Sequence, residues 1–245
     1  MRSWLIGTVP IFIFLLQAPA AWLAHFTNEK CVSQCRLARV SGPWWAGQGE
    51  LFVKSPSNGN WNLIGDINWR LTRPFGLEVH LGGGTARLDL GLSGVQLMLD
   101  RIVLPADIVL SQKVLVLPTA SWDGSLHLLK TTAAWDMRGS SQATGHVVWK
   151  NVTSSMVSNY PLGNIELGWD WKGGQGLSGK VANSPNDAFT LSGDLQTGPQ
   201  FNNVSFDGMV DLAPGSRARL SKYLSLVAKP VSGTEGRYRI KYPQR

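Results

Sequence analysis

The sequence predicts a mainly β protein. An N-terminal transmembrane helix is followed by a large, curved, mostly antiparallel sheet with one short C-terminal amphipathic helix. Three observations predict this. Charged residues are 16% of the 245 positions, where roughly 25% is usual. Glycine (27) and tryptophan (11) are both abundant, a balance that favours turns and pleated surfaces. One strand-like pattern also recurs along most of the chain.

The first element is the anchor. No Lys, Arg, Asp or Glu occurs at positions 3–28. The stretch holds an apolar run of about 20 residues, the length that spans a hydrocarbon core. Trp4 and Trp22 stand near its ends, where interfacial aromatics are expected. The competing reading is a cleaved signal peptide, with "APA" at positions 18–20 as the small-x-small site. The run continues into "AWLA" without a polar region, which favours an uncleaved anchor over 1–28 and a β-rich domain over 29–245. Arg2 marks the short flank as cytoplasmic, while Lys30, Arg36 and Arg39 beyond the run oppose that orientation.

Cys31 and Cys35 are the only cysteines. On an exported domain an even pair fits a local disulfide, with two free thiols as the alternative. Their C-x3-C spacing is a poor zinc site without further ligands.

The strand pattern reads Gly, any residue, apolar, any residue, apolar. It appears as "GELFV" at Gly49, "GDINW" at Gly65, "GSLHL" at Gly124, "GHVVW" at Gly145 and "GNIEL" at Gly163. Looser copies begin at Gly193 and Gly208. Period-two alternation gives each segment one buried and one polar face. The leading glycine is expected at a turn or bulge with positive φ. In "LGWDWKGGQGLSGKV" Leu167, Trp169 and Trp171 share a face, "KGGQG" turns and Leu177 begins the return. Ala86, Leu88, Leu90 and Leu92 are expected to share a face in the same way.

The exception is "SRARLSKYLSLVAKP", in which Leu220, Tyr223, Leu224 and Val227 have helical spacing. Ser216 or Ser221 is the expected cap and Pro230 the stop. Its polar face is basic. It either lies on a membrane surface or covers one end of the sheet. From position 216 onward there are eight basic residues and one acid, Glu235, which equals the whole formal charge of +7. Such a tail meets anionic lipid, nucleic acid or an acidic partner, or is simply solvated.

Catalytic motifs are missing. His25, His80, His127 and His146 are widely spaced, and His80 and His127 are expected to face solvent. No G-x-S-x-G, H-E-x-x-H or P-loop occurs. The run "HLGGGTARLDLG" lacks dinucleotide-binding spacing. The reading is a non-enzyme with no catalytic, cofactor-binding or metal residues.

"VSGPWWAGQGELFV" resembles the Gly-Thr-x-Trp-x-Gly-x-Ala element that follows the anchor in the type II secretion system protein N family. The likeness continues through "GDINWRLTRPFGL", "LPADIVLS", "DGSLHL", "GHVVWKNVTS", "YPLGNIELGWDW", "LSGDLQ" and "LSKYLSLVAKP…GRYRIKY", in order. Pro43 departs from the family pattern, and Cys31 and Cys35 are not a hallmark of it. The resemblance implies a single-pass inner-membrane protein of the Gram-negative cell envelope. Its bulk would be periplasmic, and it would support export of folded proteins through contacts with other secretion components. The partners expected are the membrane and those components, with anionic lipid as a further one for the basic tail, and no nucleic acid. A lipid-binding or lipid-transfer protein with an apolar sheet groove is the alternative function. Trp44 and Trp45, on a Gly-Pro turn, and Arg217, Arg219 and Lys222 are the interaction candidates. In a strand the two tryptophans would point to opposite faces, one towards the core and one towards the bilayer or a partner. The other possibility is that both fill the core.

Overall fold

The computed structural model describes residues 18–30, 34–55, 59–73, 75–107, 122–157, 161–183, 188–199 and 203–242. Among them the recurring pattern folds as a single 15-stranded sheet. Its strands are β1 (Cys35–Ser41), β2 (Ala46–Lys54), β3 (Trp61–Thr72), β4 (Gly76–Leu81), β5 (Gly84–Gly91), β6 (Gly94–Asp100), β7 (Ile102–Pro105) and β8 (Trp122–Asp136). They continue with β9 (Ser141–Ser154), β10 (Gly163–Lys172), β11 (Gly176–Asn183), β12 (Phe189–Gln196), β13 (Ser205–Leu212), β14 (Lys229–Pro230) and β15 (Arg237–Tyr242). Each strand pairs antiparallel with its successor, except that β6 and β7 lie end to end along β8 and β15 inserts between β13 and β14. Two α-helices are described in full, α1 (Ala20–Lys30) and α2 (Arg217–Val227).

Register carries the alternation from strand to strand without a change of face. One cross-strand row runs Leu71, Leu77, Leu88, Leu97, Ala133, Ala143, Trp171, Leu177. A neighbouring row runs Trp69, Val79, Ala86, Leu99, Thr131. Among the paired positions no Asp, Glu, Lys or Arg falls on this face. The charges stand on the other face, as in Arg70 beside Glu78 at 3.0 Å and Arg239 beside Asp207 at 2.7 Å.

The two helices cover the two ends of the apolar face. Ala20 and Ala24 of α1 pack on Leu37 and Trp69. Leu220 of α2 joins Val152, Leu162, Val210 and Leu212, with Trp149, Ile165 and Tyr238 around them. Covering the sheet is thus what the apolar side of α2 does. Ser216 stands at its N-cap, but without the side-chain capping bond expected there. The helix ends at Val227, before Pro230.

The predicted membrane span needs correction at its distal end. Pro19 forms an isolated antiparallel bridge with Pro43, where Ala20 N–H donates to Gly42 O at 2.9 Å and Trp44 N–H to Ala18 O at 3.1 Å. The helix that follows is 11 residues long and docked on the sheet, because its small residues fit against Leu37 and Trp69. No described helix is long and apolar enough to cross a membrane. The rest of the expected span, 1–17, lies outside the described residues.

The glycine reading needs a second correction. Gly65, Gly124 and Gly163 have positive φ, but Gly49, Gly145, Gly193 and Gly208 do not. At several of these the missing side chain makes room instead. A Cβ on Gly145 would lie 2.6 Å from the Trp169 ring, and one on Gly193 or Gly208 would lie 2.6 Å from the Phe206 ring. Leu92 leaves its expected face because it occupies the β5–β6 turn, 99% exposed.

Candidate functional site

The side chains able to do chemistry are dispersed over the strands and α1. His80 meets Glu78 at 2.8 Å, His146 meets Glu166 at 3.4 Å, and His25 meets Glu29 at 3.2 Å. The Arg70 guanidinium bonded to Glu78 holds that carboxyl below its usual range. Arg239 does the same to Asp207. His127 is half-buried, which corrects its expected solvent exposure. Its Nε2 lies 3.0 Å from Ser125 Oγ. Burial, assisted by Lys150, pushes its pKa below the ordinary imidazole value. Among the described residues no three His, Cys, Asp or Glu come together as a metal site. A shallow open depression of about 560 Å³ lies around Gly168, where His146, Asp170, Lys180 and Asp194 mix both signs of charge.

The sequence-predicted interaction residues fall at opposite ends of the sheet. Trp44 and Trp45 occupy the β1–β2 turn, 37% and 41% exposed. They are in a turn and not in a strand, so the opposite-face argument does not apply, and neither is a core residue. The core tryptophan of this corner is Trp69, whose indole N–H donates to Trp44 O at 2.9 Å. Arg217, Arg219 and Lys222 lie on α2 and differ from one another. Arg217 is half-buried and reaches Glu235 at 3.4 Å, while Arg219 and Lys222 are exposed. Lys222 Nζ lies 4.7 Å from the centre of the Tyr223 ring. In the basic tail Arg237 and Arg239 are matched to Asp211 and Asp207, so part of its charge is neutralised in place. Cys35 is disulfide-bonded, and Cys31 lies outside the described residues.

Residues 33–241 match the family model for type II secretion system (T2SS), protein N. The chain belongs to that family. No curated protein and no solved structure matches it. Membership in the protein N family gives the chain a role in type II secretion and an association with the cell envelope. For a protein N, the surfaces deserving interest are those that could meet other components or lipid.

Two such surfaces stand out, and the first is the apolar sheet groove that the sequence suggested. It lies between the helices, where among the described residues the hydrophobic clusters under α1 and α2 include none from β5 or β6. Its alternation was legible strand by strand, but its continuity depends on register. The second is a set of large apolar residues at hairpin tips: Phe75, Leu92 and Met137, exposed by 72%, 99% and 78%. The available signal was a bulky apolar residue inside a Gly-, Ser- or Pro-rich turn.

Proposed function

We propose that this protein N is a non-enzymatic, single-pass inner-membrane component with its bulk in the periplasm, supporting export of folded proteins through protein–protein contacts. The family match carries this reading. Three features support its finer parts. The Ala20–Ala21 bond, which signal peptidase would cut, lies in the first turn of α1, and Ala20 is fully buried. Cleavage there would sever the strand-like bonds to Gly42 and Trp44. Arg39, one of the charges opposing an N-in topology, is paired with Glu50 at 2.7 Å. The disulfide at Cys35, which we assign to Cys31, suits an oxidising compartment.

The test has two arms. A reporter that matures only in the periplasm, fused after Arg245, is expected to be active in cells. Cross-linking of the intact chain is expected to recover other secretion components, and its deletion to lower secreted protein. A mature N-terminus at Ala21, or an inactive reporter, overturns the topology. Unaltered secretion on deletion overturns the role.

A second reading, an envelope lipid-binding protein, is favoured by one observation: among the described residues the uncharged apolar face continues across the sheet, and its middle strands β5 and β6 lie outside the clusters under α1 and α2. Lipid co-purifying with the protein, and lost when Leu88 and Leu97 are replaced by Asp, would support it.

A further inference from the structure

Among the described residues the hairpin turns differ between the two rims of the sheet. In a meander, alternate turns lie on the same rim. Backbone bonds stitch five of them into one line. Trp45 O accepts from Leu71 N–H at 2.7 Å, and Phe75 O from Leu90 N–H at 2.9 Å. Ser93 O accepts from Met137 N–H at 3.3 Å, and Ser141 O from Gly173 N–H at 2.7 Å. The β1–β2, β3–β4, β5–β6, β8–β9 and β10–β11 turns therefore share a rim.

This rim carries Trp44, Trp45, Phe75, Leu92 and Met137, all exposed. Leu71, Leu90 and Trp135, the exposed end residues of the apolar face, lie just inside it. Exposed bases stand among the tips: Arg73, Arg138 and Lys172. The acid in these turns, Asp136, is engaged, its Oδ1 accepting from the Arg138 and Ser140 N–H groups at 2.9 and 2.7 Å. On the opposite rim the described β4–β5 turn is Gly82 and Gly83. Among the described residues, the exposed large apolar ones near that rim, Trp61, Leu63 and Val103, belong to strands, not turn tips.

We infer that this rim lies along the membrane surface and inserts its apolar tips into the interface of an anionic bilayer. The inference rests on the reading that the N-terminal stretch is held in the inner membrane. Three arguments choose a bilayer as the partner. First, the uncharged stretch at 3–17 joins the fold at Ala18, which is bonded to Trp44 on this same rim. Second, the tips are separate side chains on turns about two strands, roughly 10 Å, apart. A protein partner would need a complementary socket for each, whereas a fluid interface needs none. Third, tryptophan is favoured at headgroup depth, and Arg and Lys between apolar tips suit anionic headgroups.

The test uses the full chain reconstituted in phosphatidylcholine–phosphatidylglycerol vesicles. An environment-sensitive fluorophore is placed at Leu92→Cys, at Met137→Cys and, as the opposite-rim control, at Leu63→Cys. Lipids brominated in the upper acyl chain serve as quenchers. Quenching at 92 and 137 is expected to exceed that at 63 by about twofold or more, the signature of interfacial depth. Phe75→Asp with Trp45→Asp is expected to bring the 137 signal down towards the control while circular dichroism stays unchanged. Equal quenching at all three sites overturns the inference. So does protection of the tips only when other secretion components are added, which would make the rim a protein surface. Carbonate extraction reads the anchor separately. A chain released by carbonate removes the anchor reading, while quenching still decides where the rim lies.

Discussion

Asn28 occupies the outward edge of β1 at Leu37. Its Oδ1 accepts the Leu37 N–H at 2.8 Å and its Nδ2 donates to the Leu37 carbonyl at 3.4 Å. A side chain of α1 thus takes the place of a neighbour strand at Leu37, and the edge is blocked at that position. Asn28→Ala leaves both groups unpaired in a part-buried site. The expected loss is about 1–3 kcal/mol, read as a lower urea midpoint with an unchanged slope. Asn28→Asp keeps the acceptor and is expected to lose less. Equal stability of all three proteins would show that water replaces the amide at no cost.

Two glycines are expected to behave in opposite ways when replaced by Ala. A Cβ on Gly47 would collide with the Trp69 ring and lie 2.9 Å from Ser41 O. That ring is buried and tied to Trp44 O, so it has nowhere to go. Gly47→Ala is expected to cost about 1–3 kcal/mol through overpacking. At Gly168 a Cβ meets nothing within 4 Å, and φ is not positive there. Gly168→Ala is expected to be neutral or to stabilise by about 0.4–1 kcal/mol through the unfolded chain. Thermal unfolding of the pair checks the contrast.

Those two positions also mark what the sequence could convey. Alternation identified the strands and put Leu167, Trp169 and Trp171 on one face, because period two is a local property. It could not distinguish a glycine needed for φ from one needed for a neighbour's ring, since Trp69 and Gly47 are 22 positions apart and meet only through register. Leu92 shows the same limit: its parity was right, but the chain had already begun to turn. The docked start of α1 was hidden because an apolar, charge-free run looks alike whether it faces lipid or a sheet. The tip residues were hidden because sharing a rim is a property of the meander and not of any one turn.

Acidification is expected to destabilise the fold in two steps. His127 has a folded pKa depressed below 6.5, first by burial and then by Lys150. Its neutral form is the one the fold favours. Its contribution is complete above the unfolded value and is lost as pH falls through the folded one. Glu78 and Asp207 are depressed by Arg70 and Arg239 from 4.5 and 3.8, so their contribution is lost only at lower pH. Urea midpoints between pH 8 and pH 3 check this. His127→Gln is expected to flatten the upper step alone, and an unchanged upper step would assign it elsewhere.

The three basic residues on α2 are expected to separate on charge reversal. Arg219→Glu with Lys222→Glu alters exposed positions and is expected to change stability by no more than about 0.5 kcal/mol. Arg217→Glu faces Glu235 and replaces a side chain whose Nε is buried and packed under Gly236. It is expected to lower the melting temperature measurably, where the double reversal does not. Flotation of the double variant with anionic vesicles at low and high salt then reads surface charge without a folding defect.

The apolar face offers the sharpest separation of stability from function. At its covered end Leu220 is 4% exposed and sits among Val152, Val210 and Leu212. Leu220→Ala is expected to cost about 2–5 kcal/mol, because α2 cannot collapse onto the space left behind. Farther along the face Leu88 and Leu97 are directly paired across β5 and β6, half-buried and outside the clusters under the two described helices. A carboxylate there can reach water, so Leu88→Asp with Leu97→Asp is expected to cost far less than the single change at Leu220. The double variant is therefore the one to take into cells. If this face serves secretion, by holding a partner or lipid, secreted protein falls although the variant accumulates to parental levels. If secretion is unchanged at equal abundance, this apolar face has no part in it, and contacts elsewhere carry the work.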